Sequence, residues 1–326
     1  MSRQCVLHWV LPSALLLCLT ISLPSWSQEA NSAEGATVEE ATIYLAPLEA
    51  LRTEKEQYVD MLESMGDREV VRIGVLLNIL RSGNAETPEQ ATAYQIEMKE
   101  CLRKLTWLCE SGLRNFAEDA RVRNFRGNIL YDNFGKQVEG VKEWHTAISL
   151  DSSYSQPYNN LGMHYFHVGR YPLGFQNMDR ALDLEPKNPD FLFNMAQNYL
   201  IFGPEVEKQR GWSKKKVYKE AMKLSHRAVK EAPDDYQLLE DYAVNFLAAE
   251  NFGVKADWKD AAKAWQAARE HAPNQIKLFY TWLNEGRVWK RAEREKEALN
   301  CFKEAQKVLP DNELIQRLID ELDADA

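Results

Sequence analysis

Eight residues in the middle of the chain set the terms for everything around them. Tyr158, Leu161, Gly162 and Tyr165 form Y-x2-L-G-x2-Y, and Gly174, Met178, Ala181 and Pro186 follow at the offsets of a 34-residue helix-turn-helix unit over residues 155–186. Each residue type has a physical task. Tyr158 and Tyr165 share one helical face, Gly162 removes a Cβ where a second helix must approach, and Pro186 stops that second helix at its end. A pair of helices this short cannot bury its apolar surface alone, so the motif demands neighbours of its own kind.

The neighbours are there. Tyr131, Gly140, Trp144 and Ala147 precede Tyr165, Gly174, Met178 and Ala181 by 34 residues, with Ser152 in place of the closing proline. In the third copy Leu192, Met195, Ala196 and Tyr199 make the first helix (A), and Ala221, Ser225, Ala228 and Pro233 the second (B), after 13 extra residues. The fourth has Leu239, Tyr242, Ala243 and Phe246, six extra residues, then Ala261, Trp265, Ala268 and Pro273. The fifth has Trp282, Glu285, Gly286, Trp289, Ala298, Phe302, Ala305 and Pro310; its start is displaced by three residues, which predicts a longer turn before it. The copies span about 121–154, 155–188, 189–235, 236–275 and 279–312. Small residues at 162, 196, 243 and 286 face Ala181, Ala228, Ala268 and Ala305, letting paired helices approach closely.

Together these motifs resemble the tetratricopeptide-repeat (TPR) family. The resemblance implies an all-α fold, a right-handed alpha-alpha superhelix or TPR solenoid, with a concave face lined by the A helices. An additional helical region precedes the repeats and a capping helix with an acidic tail, residues 311–326, follows them. Asn312 caps that helix, which buries Leu314, Ile315, Leu318, Ile319 and Leu322 and turns Asp320, Glu321 and Asp323 to water.

Residues 36–118 match no repeat and read as a helical region packed on the first copy. Thr37-x-x-Glu40 is a capping-box pattern, after which Tyr44, Leu48, Leu51, Tyr58, Leu62 and Met65 lie on one face. Pro47 is a place for this helix to kink or restart, and Gly66 is read as its end. Asp67 then caps a nearly all-apolar segment through Leu80, taken as a buried helix in preference to a strand because its neighbours are helical. Thr87-Pro88-Glu89-Gln90 starts the next helix, whose Met98, Leu102, Leu105, Cys109 and Phe116 form a packing seam.

Residues 1–27 read as a secretory signal: Arg3, an apolar run over 10–23, Pro24, then Ser25 and Ser27 around Trp26. That run is too short to favour a membrane span, and the mature chain has no transmembrane segment. A retained signal anchor, or lipidation at Cys18, is the competing reading; Leu17 occupies the position where a lipoprotein site wants a small residue. Residues 28–35 are small and polar and expected to be disordered. The implied location is periplasmic or secreted, or the secretory lumen of a eukaryote. Cys101, Cys109 and Cys301 are then an odd number, and Cys101 and Cys109 are too far apart along one helix to bridge.

A net charge of −9 argues against general nucleic-acid binding. The sequence has no phosphate loop, serine elbow, H-E-x-x-H or CxxC, so it is read as non-catalytic and without cofactor. His164 and His167 lack a third metal ligand at a useful spacing. Function is assigned instead to protein interaction. In some TPR superhelices asparagines two residues before the small helix-A residue grip an extended peptide backbone, and an amide can both donate to and accept from a peptide unit. Asn160, Asn194 and Asn284 hold that position here, with Asp241 in the fourth copy and Arg126 in the first. Phe166, Phe193, Arg287 and Lys290 are placed by the same analogy on the inner face. The alternative is an accessory subunit docked through its convex surface. The insertion 203–215 and the helix after it bring Lys208, Arg210, Lys214, Lys215, Lys216 and Lys219 together, able to meet an anionic surface or acidic partner, or simply a solvated face.

Overall fold

The computed structural model describes residues 37–324; the signal reading and the disordered start lie outside the described residues. Among the described residues there are fifteen α-helices and no strand. The described residues divide into two compact units, with the boundary between Leu161 and Gly162.

The first unit opens with three helices. α1 (Val38–Glu49) starts on the Thr37–Glu40 capping box and carries Pro47 without breaking. α2 (Lys55–Arg81) runs straight through Gly66, so the expected stop there and the Asp67 cap do not occur. Gly66 is instead a point of close approach: a Cβ there would run into the ring of Phe125. α3 (Pro88–Phe116) begins on Thr87, whose hydroxyl accepts from the Gln90 amide at 3.1 Å, and buries Met98, Leu102, Leu105 and Cys109 as the seam predicts. These three helices and α4 (Ala120–Asn128) share one core, built from Leu62, Met65, Leu105, Leu108, Val122 and Phe125 among others. A buried polar network ties them further. Tyr58 and Ser111 hydroxyls lie 2.6 Å apart, and Ser111 donates to Glu49 at 2.5 Å.

After α4 comes one π-helical turn, Ile129–Asn133, and then α5 (Gln137–Leu150). The π turn adds a residue, and its trace is measurable. The glycine of helix A and the large side chain it admits from helix B are Gly162 and Met178, or Gly286 and Phe302, sixteen residues apart; in the first copy they are Gly127 and Trp144, seventeen apart. The degenerate copy is therefore an ordinary helix pair with one residue too many.

The unit boundary falls within α6 (Gln156–His167). α7 (Tyr171–Leu184) and α8 (Pro189–Ile201) follow at repeat spacing, and α10 (Lys214–Glu231) comes after the first insertion, from which α9 (Gly203–Arg210) is folded. α11 (Tyr236–Asn245) passes into a 3₁₀ segment, Phe246–Phe252, which is the second insertion. The two insertions meet: Val206, Ala249 and Phe252 belong to one core with Phe166, Phe175 and Tyr199, and Phe252 fills the space left by the missing Cβ of Gly203. α12 (Trp258–Glu270) and α13 (Gln275–Arg291) are joined by a four-residue turn, the same length as the turns after α7 and α10. The three displaced residues lengthen α13 at its start and do not lengthen the turn. α14 (Glu295–Val308) completes the fifth pair, and α15 (Glu313–Ala324) closes it with Ile315, Ile319 and Leu322 buried.

Candidate functional site

The position two residues before the small helix-A residue is occupied differently in each copy. In the first unit, Asn160 is 8% exposed, and its amide nitrogen donates to Asn128 Oδ1 at 2.8 Å and to Asn124 Oδ1 at 3.1 Å. Asn128 Oδ1 also accepts from the Trp144 indole at 2.8 Å, and Asn124 donates to the Tyr154 hydroxyl at 3.3 Å. Both donors of Asn160 are thus spent on holding α6 against α4. The π turn also changes which residue is equivalent in the first copy: it is Phe125, one residue before Arg126. Phe125 is 1% exposed and belongs to the core, as does Ile129, while Arg126 pairs with the buried Glu143 alongside Arg123.

In the second unit the position holds Asn194, Asp241 and Asn284. Asn194 is 8% exposed, and Asn284 is half-buried, its Oδ1 accepting from Arg287 at 3.2 Å. Asp241 is the unusual one. Its Oδ2 is buried and has no hydrogen-bond partner among the described residues. Burial, with the neighbouring Glu240 charge next in size, raises its carboxyl from an ordinary 3.8 to about 7, although Lys277 opposes the shift. Lys277 itself is bound to Glu240 at 2.8 Å, and Glu240 also accepts from Tyr236 at 2.8 Å. Below this row, Gln197 donates to Asn245 at 3.3 Å and Asn245 to Ser225 at 3.1 Å, a polar chain through α8, α11 and α10 that sequence reading missed.

The apolar and basic residues placed on the inner face by analogy separate into two groups. Phe166 is 1% exposed, stacked on Phe202 at 5.4 Å and edge-on to Phe175 at 4.8 Å, and Phe193 is 4% exposed. Both are core residues with no face left for a ligand. Arg287 and Lys290 are exposed, though Lys290 is paired with Glu321 of α15 at 2.9 Å. Tyr280 and Leu247 are exposed apolar side chains on α13 and the 3₁₀ segment.

Of the basic insertion residues, Lys208, Lys214, Lys215, Lys216 and Lys219 are exposed. Arg210 is not available in the same way: it binds Asp179 at 2.6 Å and lies over the ring of Phe175 at 4.9 Å, clamping α9 to α7. Another buried ion pair locks the end of the unit. Glu285, 2% exposed, accepts from Gln266 and Arg269, both at 2.6 Å, and from Trp289 at 3.2 Å, while Arg269 stacks on Trp282.

Among the described residues no group of three or more His, Cys, Asp or Glu could hold a metal ion. His167 Nδ1 lies 2.6 Å from the Met163 carbonyl oxygen, within its own helix. Cys101, Cys109 and Cys301 are unbridged and buried, and burial foremost pushes each thiol up to about 12, so none is a ready nucleophile. No helix among the described residues is long and apolar enough to cross a membrane.

No family model and no curated protein matches the chain. Solved structures do. The C-terminal part of a TPR repeat-containing protein from Cytophaga hutchinsonii aligns at 16% identity over 81% of this chain and 98% of its own, with a TM-score of 0.50. YrrB, described as a TPR protein with an unusual peptide-binding site, aligns at 19% identity over 64% of this chain and 96% of its own, with a TM-score of 0.46. PilW, a type IV pilus biogenesis factor, aligns at 14% identity over 77% and 98%, with a TM-score of 0.46. At these identities the likeness is one of fold alone, and what it joins to the helix pairing above is that the chain has the all-α repeat fold of TPR proteins.

Proposed function

We propose that the protein is a non-catalytic interaction scaffold that holds an extended peptide segment of a partner protein along the A helices of its second unit. The observation that supports this most is Asp241. A carboxylate oxygen that is buried and unpartnered costs about 1–3 kcal/mol or more, and a peptide N–H arriving from outside would remove that cost. Asn284 occupies the same position in the next copy, so one extended strand could meet both in turn. Arg287 beside Asn284 would add a cation near one end of such a strand. Asn160 has no part in this reading, because its amide is already engaged. Reading residues 1–27 as a secretory signal, we place the protein outside the cytoplasm, where its partner would also be found.

Peptide display against the intact chain tests the proposal. Peptides selected by the wild type should bind the Asp241→Ala/Asn284→Ala variant about five- to 150-fold more weakly, two hydrogen bonds at roughly 0.5–1.5 kcal/mol each. Unchanged binding by a variant whose circular dichroism is also unchanged would overturn it.

A further inference from the structure

The outward crest of α10 carries a charge pattern that neither the fold nor the groove uses. Lys216, Lys219, Lys223, Arg227 and Lys230 are all exposed and stand three, four, four and three residues apart, a single file about 21 Å long at the α-helical rise. They lie directly opposite the buried face formed by Val217, Ala221, Ser225 and Ala228. Helix α10 as a whole has seven basic residues against two glutamates, in a protein of net charge −9.

We propose that this crest docks an acidic α-helix of a partner protein, one presenting carboxylates at the same three- and four-residue spacing. Four observations carry it. First, the cations are largely uncommitted. Lys219 and Lys230 form no ion pair among the described residues, Lys223 has only Glu220 at 3.8 Å, Lys216 lies over the Trp212 ring and Arg227 donates to the Pro186 carbonyl at 2.7 Å. Second, the cations at the start of the helix work against its own dipole. Lys214, Lys215 and Lys216 fill the first turn of α10, where the helix dipole disfavours cations and no acid balances them.

Third, the crest is held rigidly. The Arg210 clamp fixes α9 and the Ser213 side chain caps α10, so a partner would not have to order it on binding. Fourth, the shape selects a helix. Side chains three and four apart on a helix repeat every 5–6 Å or so, and a second helix laid alongside presents carboxylates at that same interval. An anionic bilayer fits less well. The apolar face of α10 is consumed by the core and cannot insert, a chain of net −9 is repelled outside the crest, and six lysines to one arginine is not the mix that forks onto phosphate.

The test uses the full chain and a synthetic helical peptide with glutamates at i, i+3, i+7, i+11 and i+14, beside its all-glutamine counterpart. Fluorescence anisotropy should show binding of the glutamate peptide only. Charge reversal in Lys219→Glu/Lys223→Glu/Lys230→Glu should weaken it at least about tenfold, and the neutral Lys219→Gln/Lys223→Gln/Lys230→Gln variant should fall between. No difference between the two peptides, or equal binding by the reversed variant, overturns the proposal. So does binding to vesicles containing phosphatidylglycerol without binding to the peptide, which would assign the crest to a lipid surface. The groove variant Asp241→Ala/Asn284→Ala should leave this binding unchanged, so the two proposals fail separately.

Discussion

At the scale of single residues, the copies spend the same position in opposite ways. Asn160 is a brace between α4 and α6, whereas Asp241 is a half-buried carboxyl with one oxygen, Oδ2, buried and without a hydrogen-bond partner among the described residues. Sequence overlay identifies the position but not the difference, because what decides it lies elsewhere: Asn124 and Asn128 arrive to satisfy Asn160, and no described residue satisfies Oδ2 of Asp241. The titration of Asp241 follows from its burial. Its folded carboxyl is raised from 3.8 to about 7, so between those values the folded protein holds a proton that the unfolded chain has released. Stability from this group is therefore complete below about pH 4 and lost as pH rises through about 7. Asp241→Asn, which cannot ionise, should be isoenergetic with the wild type at pH 4. By pH 8 it should be the more stable of the two by on the order of 2–4 kcal/mol, read from urea midpoints. A difference that does not change with pH would mean the carboxyl finds a partner in solution.

Whole helices depart from their sequence signals where packing overrides propensity. Gly66 looks like a helix end, and in isolation a glycine there would weaken the helix by about 1 kcal/mol relative to alanine. The ring of Phe125 sits where its Cβ would be, so the residue is read correctly only when its neighbour is known. Gly66→Ala should accordingly destabilise the protein, because overpacking costs about 1–3 kcal/mol while the propensity gain is about 1. Pairing it with Phe125→Leu should recover part of the loss, and a stabilised single variant in thermal melts would show that the ring can move aside. The π turn after Asn128 was hidden for a related reason. One added residue shifts the overlay before it but not after it, so Tyr131, Gly140 and Trp144 match the template while the residues ahead of them slip by one. The insertions are visible as extra length, but their packing on each other through Val206 and Phe252 depends on a contact between residues 46 apart in sequence.

For the molecule as a whole, a fold of stacked pairs is legible because its long-range order is made of short-range repeats. Gly162 with Met178 and Gly286 with Phe302 record the same helix-helix contact, and no distant pairing has to be guessed to find it. What binds is not legible in that way, since it depends on which positions the stack leaves unsatisfied or exposed. The same architecture makes stability a sum of local terms coupled between neighbours. Helix α15 buries Ile315, Ile319 and Leu322 against a core that includes Phe279 and Phe302, burial that contributes roughly 5–9 kcal/mol by the usual value per apolar side chain. Ending the chain after Leu309 would expose that core and take away the Glu321 partner of Lys290. Nearest-neighbour coupling then predicts a gradient inside the second unit: amide exchange should accelerate most in α14 and α13, less in α12, and least in α8. Uniform acceleration across these four helices would instead show that the unit opens in one step, with the buried Arg269–Glu285 pair between α12 and α13 transmitting the loss as a rigid link.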